Sequence, residues 1–267
     1  MDQLSMLINA LPAEQKSYQH RPSTSLTCSF GIPSSAEEAG RPLTSLAAGC
    51  TGFEFVLGER GLPLVTAFAA SDFPAQTERL AVGYCSYNPQ YDQRDLRPLI
   101  NALSQTEFPK LKLLYLGDYF LYVNGPGATG WLGDVTPILN HSPALQYLSL
   151  VGNFSLTTNL SLPELTELSV ELDDYQSSLN RGPISDETLT YLLSSHFSKL
   201  EQVFLDLSID ANVDTDYSLP DIFLQGSRMP ALRKLEITGQ YKAGELDKLA
   251  ASPLCQRDGF KLIFEDD

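Results

Sequence analysis

The sequence has few of the residues from which metal and cofactor sites are built. Its four cysteines are widely separated and form no CxxC pair, and its three histidines show neither HxxxH nor HExxH spacing. Metal sites need closely grouped ligands of these types. We therefore expect no metal site and no cofactor, and interpret the cysteines as ordinary thiols.

Long hydrophobic runs are also missing. No run reaches the roughly 18 apolar residues that a membrane-spanning helix needs, so no membrane span is expected. The N-terminal stretch MDQLSMLINALPAEQ has no basic start, and Asn9 and Pro12 interrupt its apolar residues. It does not resemble a secretory signal. The sequence predicts a cytoplasmic protein.

Basic residues are scarce. The chain of 267 residues has 18 Lys and Arg against 33 Asp and Glu, which gives a net charge of −15. Such a charge repels phosphate groups and argues against nucleic acid and anionic membranes as partners. Two interpretations of the acidic excess stay open: it serves solubility alone, or it attracts a basic protein partner.

One pattern recurs through the chain. Five segments align without gaps: FPKLKLLYLGD (108–118), SPALQYLSLVG (142–152), LPELTELSVEL (162–172), FSKLEQVFLDL (197–207) and MPALRKLEITG (229–239). The first leucine of each segment is Leu111, Leu145, Leu165, Leu200 or Leu232, so the intervals are 34, 20, 35 and 32 residues. Repetition at such intervals is typical of stacked repeat architectures.

The shared pattern, L-x-x-L-x-L, is that of the leucine-rich repeat. Its first leucine turns the chain into a short strand, and the next two apolar residues point inward along it. One strand cannot bury its inward face alone, so repeats stack. The predicted fold is an α/β leucine-rich-repeat solenoid, or horseshoe, with a parallel concave sheet of about eight strands. Degenerate copies add the inward pairs Phe53 and Phe55, Leu80 and Val82, and Leu262 and Phe264.

Helix-start signals lie between the strands and predict a convex wall of helices. These starts are Asp95, Asp134, Ser185, Asp221 and Glu245. Asp95 and Asp134 each precede a proline in the first turn, where its missing N–H costs nothing. The short interval after Leu145 leaves room only for an extended return. Residues 1–45 are rich in Ser, Pro and Gly and predict an irregular N-terminal arm or cap, before a leucine-rich-repeat domain over 46–267.

The segments FPKLKLLYLGD, GDVTPIL, SPALQYLSLVG and LPELTELSVEL resemble an uncharacterised group of bacterial cytoplasmic leucine-rich-repeat proteins. That group carries F-P-x-L-x-x-L-x-L-G-D and G-D-V-T-P-L-L in the same order. The resemblance covers roughly residues 75–240, and its most specific part is Gly133 to Pro137. It implies a repeat fold and a binding role, and brings no catalytic residues. The asparagine that usually follows the strand is present only at Asn153.

A glycine-rich segment, GPGATG at residues 125–130, has the spacing of a dinucleotide-binding loop. Such a loop needs free backbone amides and a glycine in the first helical turn. Pro126 removes an amide, and the helix signal at Asp134 would place a carboxylate against the phosphate. We interpret the segment as a surface loop inside one repeat.

The strand residues between the inward pairs point to the concave face, where aromatic and acidic side chains are concentrated. The candidate partner-binding residues there are Tyr115, Tyr147, Glu167, Glu171, Phe204, Asp206 and Glu236. Aromatic residues supply contact area and carboxylates steer a basic partner. Trp131, in a predicted loop over 119–133, is a second candidate. The alternatives are a merely solvated sheet face and aromatic residues that fill gaps over the core.

The chain is therefore predicted to be a protein–protein interaction module without catalytic activity. The alternative is an enzyme or catalytic-accessory protein that uses the acidic cluster for acid–base chemistry. Paired carboxylates do such chemistry when a closed pocket separates their pKa values. An open sheet face would leave them ionised and alike.

Overall fold

The computed structural model describes residues 19–23, 27–31, 51–56, 61–84, 95–118, 130–172, 184–207 and 216–264. Its strands are β1 (Gln19–Ser23), β2 (Thr27–Gly31), β3 (Gly52–Val56), β4 (Arg79–Tyr84), β5 (Leu113–Asp118), β6 (Gly130–Asp134), β7 (Tyr147–Ser155), β8 (Glu167–Glu171), β9 (Gln202–Leu207), β10 (Lys234–Gly239) and β11 (Lys261–Phe264). Its helices are α1 (Leu62–Ala69), α2 (Arg97–Leu103), α3 (Thr136–Asn140), α4 (Asp186–Leu193), α5 (Asp221–Gln225) and α6 (Glu245–Ala250), with a 3-10 turn at Pro74–Gln76.

The strands form one mostly parallel sheet. Its order is β2-β3-β4-β5-β7-β8-β9-β10-β11, so strand order in the sheet follows chain order, and β6 lies off this path. β1 is antiparallel to β2 at one end, and β6 is parallel to the second half of β7. The prediction of an α/β fold with a parallel sheet is confirmed at this level. The parallel path has nine strands among the described residues, against about eight predicted.

Each of the five aligned segments contains the same type of turn. The N–H of each first leucine donates to the carbonyl oxygen of the residue three positions earlier, at 3.2 to 3.4 Å. The acceptors are Phe108, Ser142, Leu162, Phe197 and Met229. All five first leucines are at most 2% exposed, so the turn is held by burial at both ends. The predicted role of the first leucine is confirmed.

A second backbone pattern joins neighbouring rungs, where a rung is one strand of the parallel sheet together with the turn that leads into it. The carbonyl oxygen of the residue just before each of six strands (β3, β4, β5, β7, β8 and β9) accepts two consecutive N–H groups that lead into the next strand of the sheet. These double acceptors are Thr51, Glu78, Lys112, Gln146, Thr166 and Glu201. Each strand therefore enters the sheet at the same point relative to its predecessor, and the side chains stay in register.

The core lies on one side of the sheet. The inward residues of the five segments, such as Leu114, Leu148, Leu168 and Leu235, are at most 2% exposed and belong to one hydrophobic cluster. The buried faces of the helices belong to the same cluster. Phe53, Phe55, Leu80 and Val82 of the degenerate copies are buried as predicted. Phe264 is not, because β11 is the last strand of the path and leaves its ring 42% exposed.

The two aspartates before prolines are not the N-caps that the sequence predicts. The N-caps of α2 and α3 are Leu96 and Val135, and each helix begins two residues after the aspartate. An Oδ1 atom of Asp95 accepts the N–H of Arg97, and Oδ1 of Asp134 accepts the N–H of Thr136. Asp134 itself lies in β6. Ser185 caps α4 by accepting the N–H of Thr188 at 3.1 Å. The chain between β7 and β8 contains no helix, as expected from the short interval.

Three elements depart from the sequence prediction or extend it. α1 was not predicted, because LPLVTAFA begins after Gly61 without a side-chain cap. The predicted loop over 119–133 contains β6 from Gly130 onward, and 119–129 lies outside the described residues. β1 and β2 lie within the segment predicted as an irregular arm, and β2 continues the parallel sheet there. The domain boundary at residue 45 stays a prediction.

Candidate functional site: the open face of the sheet

The side of the sheet opposite the core, here called the open face, carries three rows of side chains. The register between strands places residues of neighbouring rungs side by side. The first row is Arg79, Leu113, Tyr147, Glu167, Gln202, Lys234 and Lys261. The second is Ala81, Tyr115, Ser149, Ser169, Phe204, Glu236 and Ile263. The third is Gly83, Gly117, Val151, Glu171, Asp206 and Thr238.

Seven of the eight predicted site residues lie on this face, but they differ in exposure. Tyr115 is only 6% exposed and forms a small second hydrophobic cluster with Ala81 and Val151. It therefore presents almost no surface to a partner, in contrast to the prediction. Tyr147 and Phe204 are half-buried, and Glu167 is exposed.

The predicted acidic cluster is divided. Glu171 and Asp206 are direct neighbours in the third row, whereas Glu167 lies two rows away on β8. Glu236 forms an ion pair with Lys234 on its own strand, with 2.7 Å between the Nζ and Oε2 atoms. A continuous acidic patch of four carboxylates is therefore not present. Besides Glu236, the acidic side chains of the open face among the described residues are Glu54 on β3 and, further along the sheet, Glu167, Glu171 and Asp206.

A shallow depression of about 370 Å³ lies where four strands enter the sheet. Tyr147 and Glu167 line it from one side, and Arg79 and Lys112 line it from the other. Lys112 pairs with Glu78 at 3.3 Å, across two half-exposed side chains. Glu78 also lines the depression, so Arg79 is the cation on that side that is not in this ion pair, and Glu167 is the carboxylate on the other side of the Tyr147 ring.

The third row leads to a second depression of about 380 Å³, lined by Gln240, Tyr241, Lys242 and Asp247 among others. The hydroxyl of Tyr241 donates to the carbonyl oxygen of Thr238 at 3.2 Å. Burial raises the pKa of the Tyr241 hydroxyl, and the carboxylate of Asp206 raises it further. Tyr241 therefore stays neutral and holds the end of β10 in place beside Asp206.

Trp131 lies apart from the open face. It is on β6, and the guanidinium carbon of Arg97 is 4.0 Å from the centroid of its ring. Arg97 is held there by two side-chain hydrogen bonds to Asp95, at 2.8 and 2.5 Å. The ring is half-buried beneath a fixed cation, which is a structural arrangement. Trp131 therefore lies in a strand and not in the predicted loop, while its role in partner binding stays a prediction.

Three basic residues of the site were not among the predicted ones. Arg79 and Lys112 line the first depression, and Lys234 pairs with Glu236. Aligning the degenerate copy TERLAVGYCSY with the five clear repeats would have placed Arg79 beside Leu113 in the first row. Lys112 precedes its strand, outside the alternation that selects face residues.

The described residues include no group of three or more His, Cys, Asp and Glu side chains arranged to hold a metal ion. None of the helices in the described ranges is long and apolar enough to cross a membrane. Comparisons of the chain with protein-family models, with curated proteins and with solved structures return no match.

Proposed function

We propose that the chain is a leucine-rich-repeat solenoid that binds a protein partner through its open face. Support for the repeat fold comes from two backbone patterns. The turn that ends at the first leucine recurs in all five clear repeats, and the carbonyl that accepts two N–H groups of the next rung recurs in the first four of them. Strand order that follows chain order adds to this support. Each rung then contacts only its neighbours, as in repeat proteins.

The binding role is supported above all by the first depression of the open face. Tyr147 presents a half-buried ring there, and the exposed carboxylate of Glu167 lies beside it in the same row. An amphipathic aromatic ring that is already held by its strand loses little entropy on contact. Phe204, half-buried in the second row two strands further on, extends the aromatic surface.

The charges on the open face favour a polypeptide with both signs of charge. Glu167, Glu171 and Asp206 lie on one side of Tyr147. Arg79 and Lys112 lie on the other side, where Glu78 and Glu54 are also present. A basic segment of the partner would meet the carboxylates, and its acidic segment would meet Arg79. Such complementarity fixes the orientation of a partner and speeds its approach. The prediction of a basic partner therefore applies only to the end of the open face that carries Glu167, Glu171 and Asp206.

The catalytic alternative stays a prediction. Its carboxylates would be Glu171 and Asp206, the direct neighbours in the third row. Replacement of both by Asn or Gln would abolish an activity and leave capture of a partner unchanged, whereas the binding proposal requires the opposite.

Affinity capture of the full chain, followed by mass spectrometry, tests the proposal. The chain should retain one protein reproducibly, and the double variant Tyr147→Ala, Glu167→Lys should lose it. Neither side chain is part of the core, so the variant should keep its melting temperature within a few degrees.

A matched control carries the same charge change on the helical side. Glu187 is exposed on α4, where its carboxylate accepts a hydrogen bond from the Tyr191 hydroxyl. Glu187→Lys should retain the partner. Equal loss with both variants, or retention by Tyr147→Ala, Glu167→Lys, would contradict binding at the open face.

A further inference from the structure

β11 is an edge of the sheet. It pairs with β10 on one side, and no described strand pairs with its other side. An edge strand presents a row of N–H and C=O groups that can pair with another chain. The other end of the sheet is β1, which is antiparallel to β2 and is an edge strand as well among the described residues.

The register shows which groups of β11 point outward. The N–H of Lys261 donates to the carbonyl oxygen of Arg233, so Lys261 directs its backbone toward β10. Backbone direction alternates along a strand. Leu262 and Phe264 therefore point their N–H and C=O groups to the outer edge, and Ile263 points inward like Lys261.

The same two residues carry apolar side chains on the core side of the sheet. Leu262 is half-buried against the core cluster. Phe264 is 42% exposed, and among the described residues it is the one large hydrophobic side chain that is exposed. In the preceding rungs the corresponding residues, Leu235 and Ile237, are at most 2% exposed. Among the described residues, the apolar side chains of β11 are therefore less covered than the corresponding side chains of β10.

We propose that β11 binds β11 of a second copy of this chain, antiparallel and centred on Ile263. In this register Leu262 of each copy lies opposite Phe264 of the other, and both pairs have outward-pointing backbone groups. Four backbone hydrogen bonds then form, two at each Leu262–Phe264 pair. Each exposed Phe264 ring covers the half-buried Leu262 of the other copy.

The second copy fits because the strand is complementary to itself. A two-fold interface requires that each residue and its opposite number suit one another in both directions. Leu262 and Phe264 do so as an apolar pair. Lys261, at the start of the strand, is exposed and lies outside the pairs that carry the backbone hydrogen bonds.

Other antiparallel registers are less favourable. A shift by two residues in either direction sets Leu262 opposite Leu262, or Phe264 opposite Phe264, and leaves one outward-facing residue of β11 without an opposite number in the strand. A shift by one residue turns the backbone groups out of alignment. A contact over so few residues lies at the small end of specific interfaces. We expect a weak dimer that forms at micromolar to millimolar concentration.

Sedimentation velocity of the full chain over a range of concentrations measures this association. The unchanged chain should shift from monomer to dimer. Phe264→Lys places a charge opposite Leu262 and should weaken the dimer at least about tenfold. Phe264→Leu keeps an apolar side chain and should retain it. Thermal melts of both variants establish that they are folded.

A cysteine at Ile263 tests the register directly and does not depend on weakening the strand. Opposite residues of a non-hydrogen-bonded antiparallel pair have Cα atoms about 4.5 Å apart, within the range for a disulfide. Ile263→Cys should therefore form a disulfide-linked dimer under mild oxidation. In the matched control Leu262→Cys, the two thiols belong to residues about 8 Å apart, too far for a bond. The unchanged chain controls for the native cysteines.

A concentration-dependent dimer that Phe264→Lys weakens and Ile263→Cys links supports the proposal. A chain that stays monomeric at millimolar concentration overturns it. So does a dimer that survives Phe264→Lys, or one in which Leu262→Cys links more readily than Ile263→Cys. None of these results depends on the open-face partner, since Tyr147 and Glu167 lie four and three strands away from β11.

Discussion

The carboxylate of Glu245 accepts a hydrogen bond from the backbone N–H of Leu219 at 2.8 Å, across 26 residues of sequence. Its other oxygen accepts from Lys248 Nζ in the next turn of α6. Glu245 is only 6% exposed. The hydrogen bond from Lys248, followed by that from Leu219, lowers the pKa of the Glu245 carboxyl. The first turn of α6 is thereby tied to the segment that leads into α5.

This tie should make stability depend on pH. The folded pKa of Glu245 is lowered, so the ionised group stabilises the fold at pH values above the ordinary carboxyl pKa. The contribution is lost as pH falls through the folded pKa. We expect Glu245→Gln to lower the free energy of unfolding by about 1–3 kcal/mol near pH 7. Urea denaturation of both chains should show this difference shrinking in acid.

Lys248→Met is the matched control for that experiment. It removes the exposed partner and leaves the bond to Leu219, so its loss of stability should be the smaller of the two. A difference between Glu245→Gln and the unchanged chain that grows as pH falls would contradict the assigned role of the charge.

Gly117 should tolerate no side chain. Its φ is +126°, and a Cβ there would collide with the carbonyl oxygen of Val151 on the adjacent strand. Gly244 also has a positive φ, of +83°, but a Cβ there would meet nothing within 4 Å. Gly244→Ala should therefore cost about 1–2 kcal/mol from backbone strain alone. Gly117→Ala should cost clearly more, measured by thermal or urea unfolding, because two strands must separate. Equal costs would show that the approach of β5 and β7 is not tight.

The core should weaken toward β11. Leu148 is fully buried in the middle of the sheet, whereas Leu262 is half-buried at its edge. Leu148→Ala should lower the free energy of unfolding by about 2–5 kcal/mol, and Leu148→Met by less than about 1.5 kcal/mol. Leu262→Ala should cost less than Leu148→Ala, measured below the concentration at which the chain associates. The reverse order would contradict the assignment of β11 as an incompletely covered rung.

Trp131 should report on Arg97. The chain has 1 tryptophan, so its fluorescence comes from this ring alone. Arg97→Ala uncovers one face of the ring and should shift its emission to longer wavelength and increase quenching by acrylamide. Arg97→Lys keeps the aliphatic stem that packs against Gly133 and should give an intermediate effect. Unchanged emission in Arg97→Ala would mean that the cation does not cover the ring in solution.

The parts of the fold that the sequence predicted are those specified by local patterns. Leu145, Leu148 and Leu150 lie within six residues of one another, and a strand with a period of two directs the last two inward. The aspartates before prolines are equally local signals: each accepts a nearby N–H group, and each helix begins two residues after the aspartate. Because the pattern occurs five times, the prediction of a parallel sheet did not depend on the correct interpretation of any single segment.

The parts that could not be predicted depend on which residues the register brings together. Tyr115 is buried because Ala81 and Val151, each more than 30 residues away in sequence, lie around it. Trp131 lies under Arg97 because β6 pairs with β7 and bridges to Asp95. Glu236 looked like part of an acidic surface, but Lys234 on the same strand pairs with it. Such contacts follow from the positions of neighbouring rungs, which no single segment specifies.

The carbonyls that each accept two N–H groups determine how many residues can be inserted or deleted without disturbing the pairing of the strands. Thr166 and Glu201 occupy equivalent places 35 residues apart, and each meets the same pair of donors in the rung that follows it. Excision of the whole interval would rejoin matching donors and acceptors, whereas loss of a few residues within it would misalign every later strand. Insertions and deletions that arise in this gene should therefore be tolerated when they comprise a complete repeat. Duplication of a complete repeat would lengthen the protein and keep the same hydrogen bonds between neighbouring strands.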